Sequence, residues 1–297
     1  MSSEVALQVG QNPRVAVFVA GCLLVFVAGI AADIFLLVRL RLRPPDWAER
    51  AGALRSRTWQ LDDALFILLV LVGMRVVLLL LGGGSADAAL SASAEPGQDF
   101  FWPVVFSTAT LHGMALLLVL TLLAARRASW GAAFGFSSRG VARRIGQGAL
   151  SYLAVMPPVM AAWVVTVVVA VSLGVKPEKQ LIMQLLERFG SPRLYAFIGI
   201  MAVAGAPFVE EILFRGVGLP VLARYAPPAR AVVWMSLCFA VIHFHLPSLL
   251  PIFVLGVGLS LAYLATGDLL VPVVMHAAFN AVSLAAAVLL KGTGLDT

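Results

Sequence analysis

Three residue pairs with a four-residue spacing fall in the last third of the chain: Glu211 and Arg215, Phe239 and His243, His276 and Asn280. Residues four apart share one face of a helix. Glu211 can therefore pair with Arg215, while its neighbour Glu210 points about 100° away and is left free. A free carboxylate beside an imidazole can hold a water molecule and take its proton. A second imidazole and a carboxamide can donate hydrogen bonds to an oxyanion as it forms on a carbonyl. Brought into one polar pocket, Glu210, His243, His276 and Asn280 would suit attack of water on an amide without a covalent intermediate.

Other hydrolytic chemistries lack their residues. There is no His-Glu-x-x-His zinc motif and no Gly-x-Ser-x-Gly elbow. Cys238 lies five positions before His243 and so off its face, and Cys22 has no histidine near it. A zinc site built from a carboxylate and two imidazoles stays open, and nothing points to an organic cofactor. His112, alone on an apolar stretch, reads as a hydrogen-bonded packing residue.

The elements that must position these groups are membrane helices. Of the 297 residues, 61% are hydrophobic and 12% charged. Runs of about 20 apolar residues are long enough to cross a bilayer. The expected fold is an all-α polytopic membrane protein of about eight transmembrane helices around a polar intramembrane cavity. The spans are placed near residues 15–40, 61–81, 102–125, 149–175, 193–214, 231–245, 250–266 and 269–290. The fifth ends in the diglutamate, with a Pro-rich inner loop after it. Ala142 to Gly148 reads as a short interfacial helix, Pro157-Pro158 as a kink, Gly82 to Asp99 as a linker, and Glu178 to Phe189 as an amphipathic helix. Residues 1–147 would carry the first three spans and their loops, and 148–297 the site.

The net charge of +6 would suggest nucleic acid in a soluble protein. Here the arginines (Arg39, Arg41, Arg43, Arg50, Arg55, Arg57; Arg126, Arg127, Arg139, Arg143, Arg144; Arg224, Arg230) sit in short loops and set topology. Eight spans with both termini outside put every basic loop on the inner side. The partners expected are the lipid bilayer and a membrane-embedded or lipidated peptide, with no nucleic acid and no defined oligomeric state.

The motifs Glu210-Glu211-x-x-x-Arg215, Phe239-x-x-x-His243 and His276-x-x-x-Asn280, in this order and each at or near a span, resemble those of the CPBP intramembrane proteases. These include the CAAX prenyl endopeptidases of the Rce1 type and the bacteriocin-processing or immunity (Abi) proteins. The resemblance covers about Gly205 to Ser283. It implies eight helices around a conical cavity open to the cytoplasm and a glutamate-dependent endopeptidase. Glu210 and His243 would activate water, His276 and Asn280 would stabilise the oxyanion, and Glu211 and Arg215 would support them. The Ala/Arg/Val/Gly-rich composition points to a bacterial inner-membrane member. The alternatives are a non-proteolytic scaffold or peptide-immunity protein keeping the same pocket, and a transporter with a Glu/His proton relay.

Overall fold

The computed structural model describes residues 12–80, 101–137, 139–174, 184, 191–291 and 293. The expectations for the Gly82–Asp99 linker and, Gln184 apart, for the Glu178–Phe189 helix lie outside the described residues. The elements in chain order are α1 (Pro13–Leu42), α2 (Trp47–Arg55), α3 (Leu61–Leu80), α4 (Phe101–Ala125), α5 (Trp130–Phe134), α6 (Val141–Ser172), α7 (Pro192–Tyr225), α8 (Pro228–Val241), α9 (Leu249–Thr266) and α10 (Leu270–Leu290). No strand occurs among the described residues. Six helices are long and apolar enough to cross a membrane: α1, α4, α6, α7, α9 with the short turn Leu246–Ser248 that opens it, and α10. Multi-pass membrane insertion follows, because only helices satisfy their own backbone hydrogen bonds in lipid. Beside these six stand α3, with 20 residues including Asp62, Asp63 and Arg75, and α8, with 14. At 1.5 Å per residue α8 measures roughly 21 Å, short of a bilayer core of about 30 Å.

Local chemistry starts the helices. Asn12 accepts from Arg14 N ahead of Pro13, Asp46 accepts from Ala48 N and Glu49 N, and Ser191 accepts from Leu194 N ahead of Pro192. These are side-chain caps with proline placed where no donor is missed. Two elements run further than their sequence suggests. Ala142 to Gly148 is not a separate interfacial helix but the first turns of α6, which continues through Pro157 and Pro158. Its small Gly148 lies against α10, where a Cβ would come within 2.7 Å of Val274, so packing in the bundle takes that turn up. Nor does α7 stop at Phe214. It runs on to Tyr225 past Gly216, Gly218 and Pro220, through the π-helical segments Met201–Gly205 and Ile212–Gly218. The diglutamate is thus in the middle of a 34-residue helix, not at its inner end.

The bundle is organised by α6, which packs against α1, α9 and α10, while α9 also packs against α8. Small residues allow close approach: a Cβ on Gly29 of α1 would lie 2.6 Å from the Leu153 carbonyl and Pro157 of α6. This is the usual basis of helix association in lipid.

The arginine-rich loops gather at one end, and several of their side chains do structural work. Arg57 donates to the carbonyls of Gly131 at 3.1 Å and Gly267 at 2.5 Å. Arg55 donates to Ala223 O at 2.9 Å, and Arg224 donates to Arg55 O at 2.9 Å. Arg126 pairs with buried Asp63 at 2.8 Å, and Arg144 is in ion-pair contact with Asp268. Burial pushes the Asp268 carboxyl above the usual carboxylate range, against the lowering effect of the Leu270 amide, Arg144 and Arg57. Positive φ angles at Gly135 (78°) and Gly267 (66°) bring two turns together there.

Candidate active site

The site is assembled where α7, α8, α9 and α10 meet. Glu210 and Glu211 lie on the six-residue α-helical stretch Ala206–Glu211, between the two π segments. A π turn shifts the hydrogen-bond register and is frequent at functional sites. Glu211 and Arg215 are both 0% exposed, and Arg215 Nη1 donates to Glu211 Oε1 at 2.8 Å. The expected pair therefore forms, four residues apart on one face. Arg215 Nη2 also donates to the Gly256 carbonyl of α9 at 3.2 Å. Two buried opposite charges with shared hydrogen bonds are the arrangement that makes burial of either tolerable.

His276, also buried, meets this pair from α10. Its Nδ1 is 2.9 Å from Glu211 Oε1, the oxygen that Arg215 holds. Its Nε2 faces Glu210 Oε2 at 3.9 Å. Because the carboxylate only accepts, Nδ1 carries a hydrogen, and Nε2 is turned towards Glu210. The Glu210 side chain is 24% exposed, and its Oε2 has no hydrogen-bond partner among the described residues. The chain Arg215–Glu211–His276–Glu210 joins one guanidinium, one tied carboxylate, one imidazole and one free carboxylate.

The remaining two expected residues are held through the backbone. His243, exposed at the end of α8, has Nδ1 2.7 Å from the Phe239 carbonyl one turn back. Its ring packs edge-to-face on Phe239 at 4.8 Å, and Phe239 in turn contacts His276 at 5.6 Å. Asn280 donates from Nδ2 to the Ala202 carbonyl at 2.8 Å, inside the first π segment. One of its two amide hydrogens is thus taken, and the other has no hydrogen-bond partner among the described residues. His112 has Nδ1 3.0 Å from the Thr108 carbonyl on α4, a helix-packing role. Among the described residues no group of three His, Cys, Asp or Glu side chains is placed to hold a metal ion.

Three features of the site were not legible in the residues. The contact of His276 with Glu211 depends on how α10 packs against α7. The Gly256 and Ala202 carbonyls are backbone groups without a side-chain signature. Phe239 stood in the motif spacing, but its central position among the charged groups needs the fold.

A family model described as type II CAAX prenyl endopeptidase, Rce1-like, matches residues 192–282. Over these residues, which are less than half of the chain, the sequence is similar to the Rce1-like family. No curated protein and no solved structure matches the chain. The matched segment runs from the start of α7 into α10 and contains Glu210, Glu211, Arg215, His243, His276 and Asn280. The family that this model describes is one of proteases. The helices α1 to α6 lie outside the match and wrap the matched segment, with α6 against α9 and α10.

Proposed function

We propose that the protein is an intramembrane endopeptidase that hydrolyses a peptide bond of a membrane-associated protein or peptide, with water activated at Glu210. The observation that carries this reading is the free, part-exposed carboxylate of Glu210 facing the Nε2 of a buried histidine that a second carboxylate holds. In the reaction, the water oxygen bonds to the carbonyl carbon while its proton passes to Glu210, with His243 beside the water. The carbonyl π electrons move to oxygen, where His276 Nε2 and the free amide hydrogen of Asn280 donate to the oxyanion. Collapse breaks the C–N bond, and the departing amine takes the proton from Glu210.

For His276 to donate through Nε2 while Nδ1 donates to Glu211, the ring carries both hydrogens. Glu211 and Arg215 are supporting residues in this scheme.

The site lies close to the arginine-rich end. His276 is six residues into α10, roughly 9 Å along the helix from Leu270, and Asp268 beside that start pairs with Arg144. Basic loops stay on the inner side, so the proposed location is a bacterial cytoplasmic membrane with the site towards the cytoplasm. No cofactor enters the scheme. The reading divides the chain into residues 1–147, a supporting set of helices, and 148–297, the catalytic part.

The test uses the purified protein in bilayers with a membrane-anchored peptide in H2(18)O. One heavy oxygen in the new carboxylate, with no peptidyl adduct on acid quench, supports direct attack by water. A trapped covalent adduct contradicts it.

A further inference from the structure

His243 and His276 come from different helices, yet both are anchored in the same way. Nδ1 of His243 meets the Phe239 carbonyl at 2.7 Å, and Nδ1 of His276 meets Glu211 Oε1 at 2.9 Å. Both partners accept, so in each ring Nε2 is the nitrogen left to act. A single hydrogen bond at Nδ1 does not set the ring plane, because the imidazole can still swing about that contact. A second contact is needed, and one residue supplies it for both rings.

That residue is Phe239, which is 0% exposed. Its ring centroid is 4.8 Å from His243 at an interplanar angle of 72° and 5.6 Å from His276 at 85°. Both are edge-to-face geometries, which aromatic rings prefer over a face-to-face sandwich. The guanidinium carbon of Arg215 lies 4.3 Å from the same centroid, within range of a cation–π contact. Phe214 backs the ring at 5.3 Å. A Cβ on Gly256 would come within 3.4 Å of Phe239 Cδ1, so α9 closes the remaining side. One buried ring therefore touches both imidazoles and the arginine that holds Glu211, and its own carbonyl holds one of the imidazoles.

We infer that Phe239 is a positioning residue whose ring fixes the planes of both His243 and His276, so that their Nε2 atoms are presented together. The inference rests on the endopeptidase reading for its kinetic consequence only, since the ring geometry can be measured without turnover.

The experiment compares wild type, Phe239→Leu and Phe214→Leu, with histidine as the only isotopically labelled residue. The chain has four histidines, so the imidazole signals can be assigned by substitution. Phe239→Leu removes the central ring; Phe214→Leu removes a ring of the same size that does not touch either imidazole. The expected result is that Phe239→Leu moves the His243 and His276 ring signals and leaves His112 in place, while Phe214→Leu moves neither. On the peptide substrate, kcat of Phe239→Leu should fall by roughly 10- to 100-fold, the cost of a misplacement near 1 Å, with KM held within about two-fold. Unmoved imidazole signals in Phe239→Leu, or equal displacement in Phe214→Leu, overturn the inference. Should Phe239→Leu not fold, Phe239→Tyr carries the test in reverse: with the ring retained, both signals must stay, and their displacement overturns it. A wild type without peptidase activity would count against the function proposed above and leave the ring signals to decide this inference.

Discussion

Arg215→Met isolates the energetics on which the site is built. The guanidinium is fully buried, bonds Glu211 at 2.8 Å and the Gly256 carbonyl at 3.2 Å, and sits over the Phe239 ring at 4.3 Å. Methionine fills much the same volume but leaves Glu211 buried without its cation. Breaking a buried pair from one side costs about 3–5 kcal/mol, roughly two to four orders of magnitude in the folding equilibrium. The retained bond from His276 to Glu211 places the expectation near the lower end, about 3 kcal/mol. The double variant Glu211→Gln/Arg215→Met removes both charges and should recover most of that loss. The assay is equilibrium unfolding of the four members of the cycle in mixed micelles, with denaturing detergent as the titrant. A loss below about 1 kcal/mol for Arg215→Met, the range of an exposed pair, or a double variant worse than the sum of the singles, would refute the reasoning.

Further predictions concern single contacts. Asn280→Leu leaves the Ala202 carbonyl without its donor and should cost about 1–3 kcal/mol, read in the same unfolding assay, together with a fall in peptide turnover. Gly135→Ala places a Cβ into the Gly267 carbonyl at a φ of 78°, so the variant should be destabilised by more than about 2 kcal/mol and show a lower melting temperature. Asp268 gives a pH dependence. Its folded carboxyl is raised above the ordinary value of 3.8 by burial, so its contribution to stability is full below that value and is lost as pH rises through the raised one. Melting temperature measured against pH should therefore decline more over this window in wild type than in Asp268→Asn, and equal slopes would remove the assignment.

Much of the candidate site could be read from residue spacing because it depends on one helix at a time. The Glu211–Arg215 pair follows from a four-residue separation, and the freedom of Glu210 from the 100° step. The long apolar spans likewise follow from length and hydrophobicity. What escaped reading depends on packing between helices. Gly216, Gly218 and Pro220 look like the end of α7, yet a π segment carries the helix past them. Arg57 and Arg224 read as topology signals, and they also bond backbone carbonyls of distant loops. His276 bonds Glu211 across 65 residues, and Asn280 bonds Ala202 across 78. No local pattern encodes contacts of that range.

The central claim is that Glu210 activates water and Glu211 does not. The direct measurement is cleavage of a quenched fluorescent peptide library by purified wild type, Glu210→Gln and Glu211→Gln, each with and without a zinc chelator, with melting temperatures recorded on the same samples. The account predicts cleavage by wild type that is indifferent to chelator, a loss of at least about 100-fold in Glu210→Gln at near-native stability, and joint loss of stability and turnover in Glu211→Gln. Cleavage surviving in Glu210→Gln, or abolished by the chelator in wild type, would contradict it.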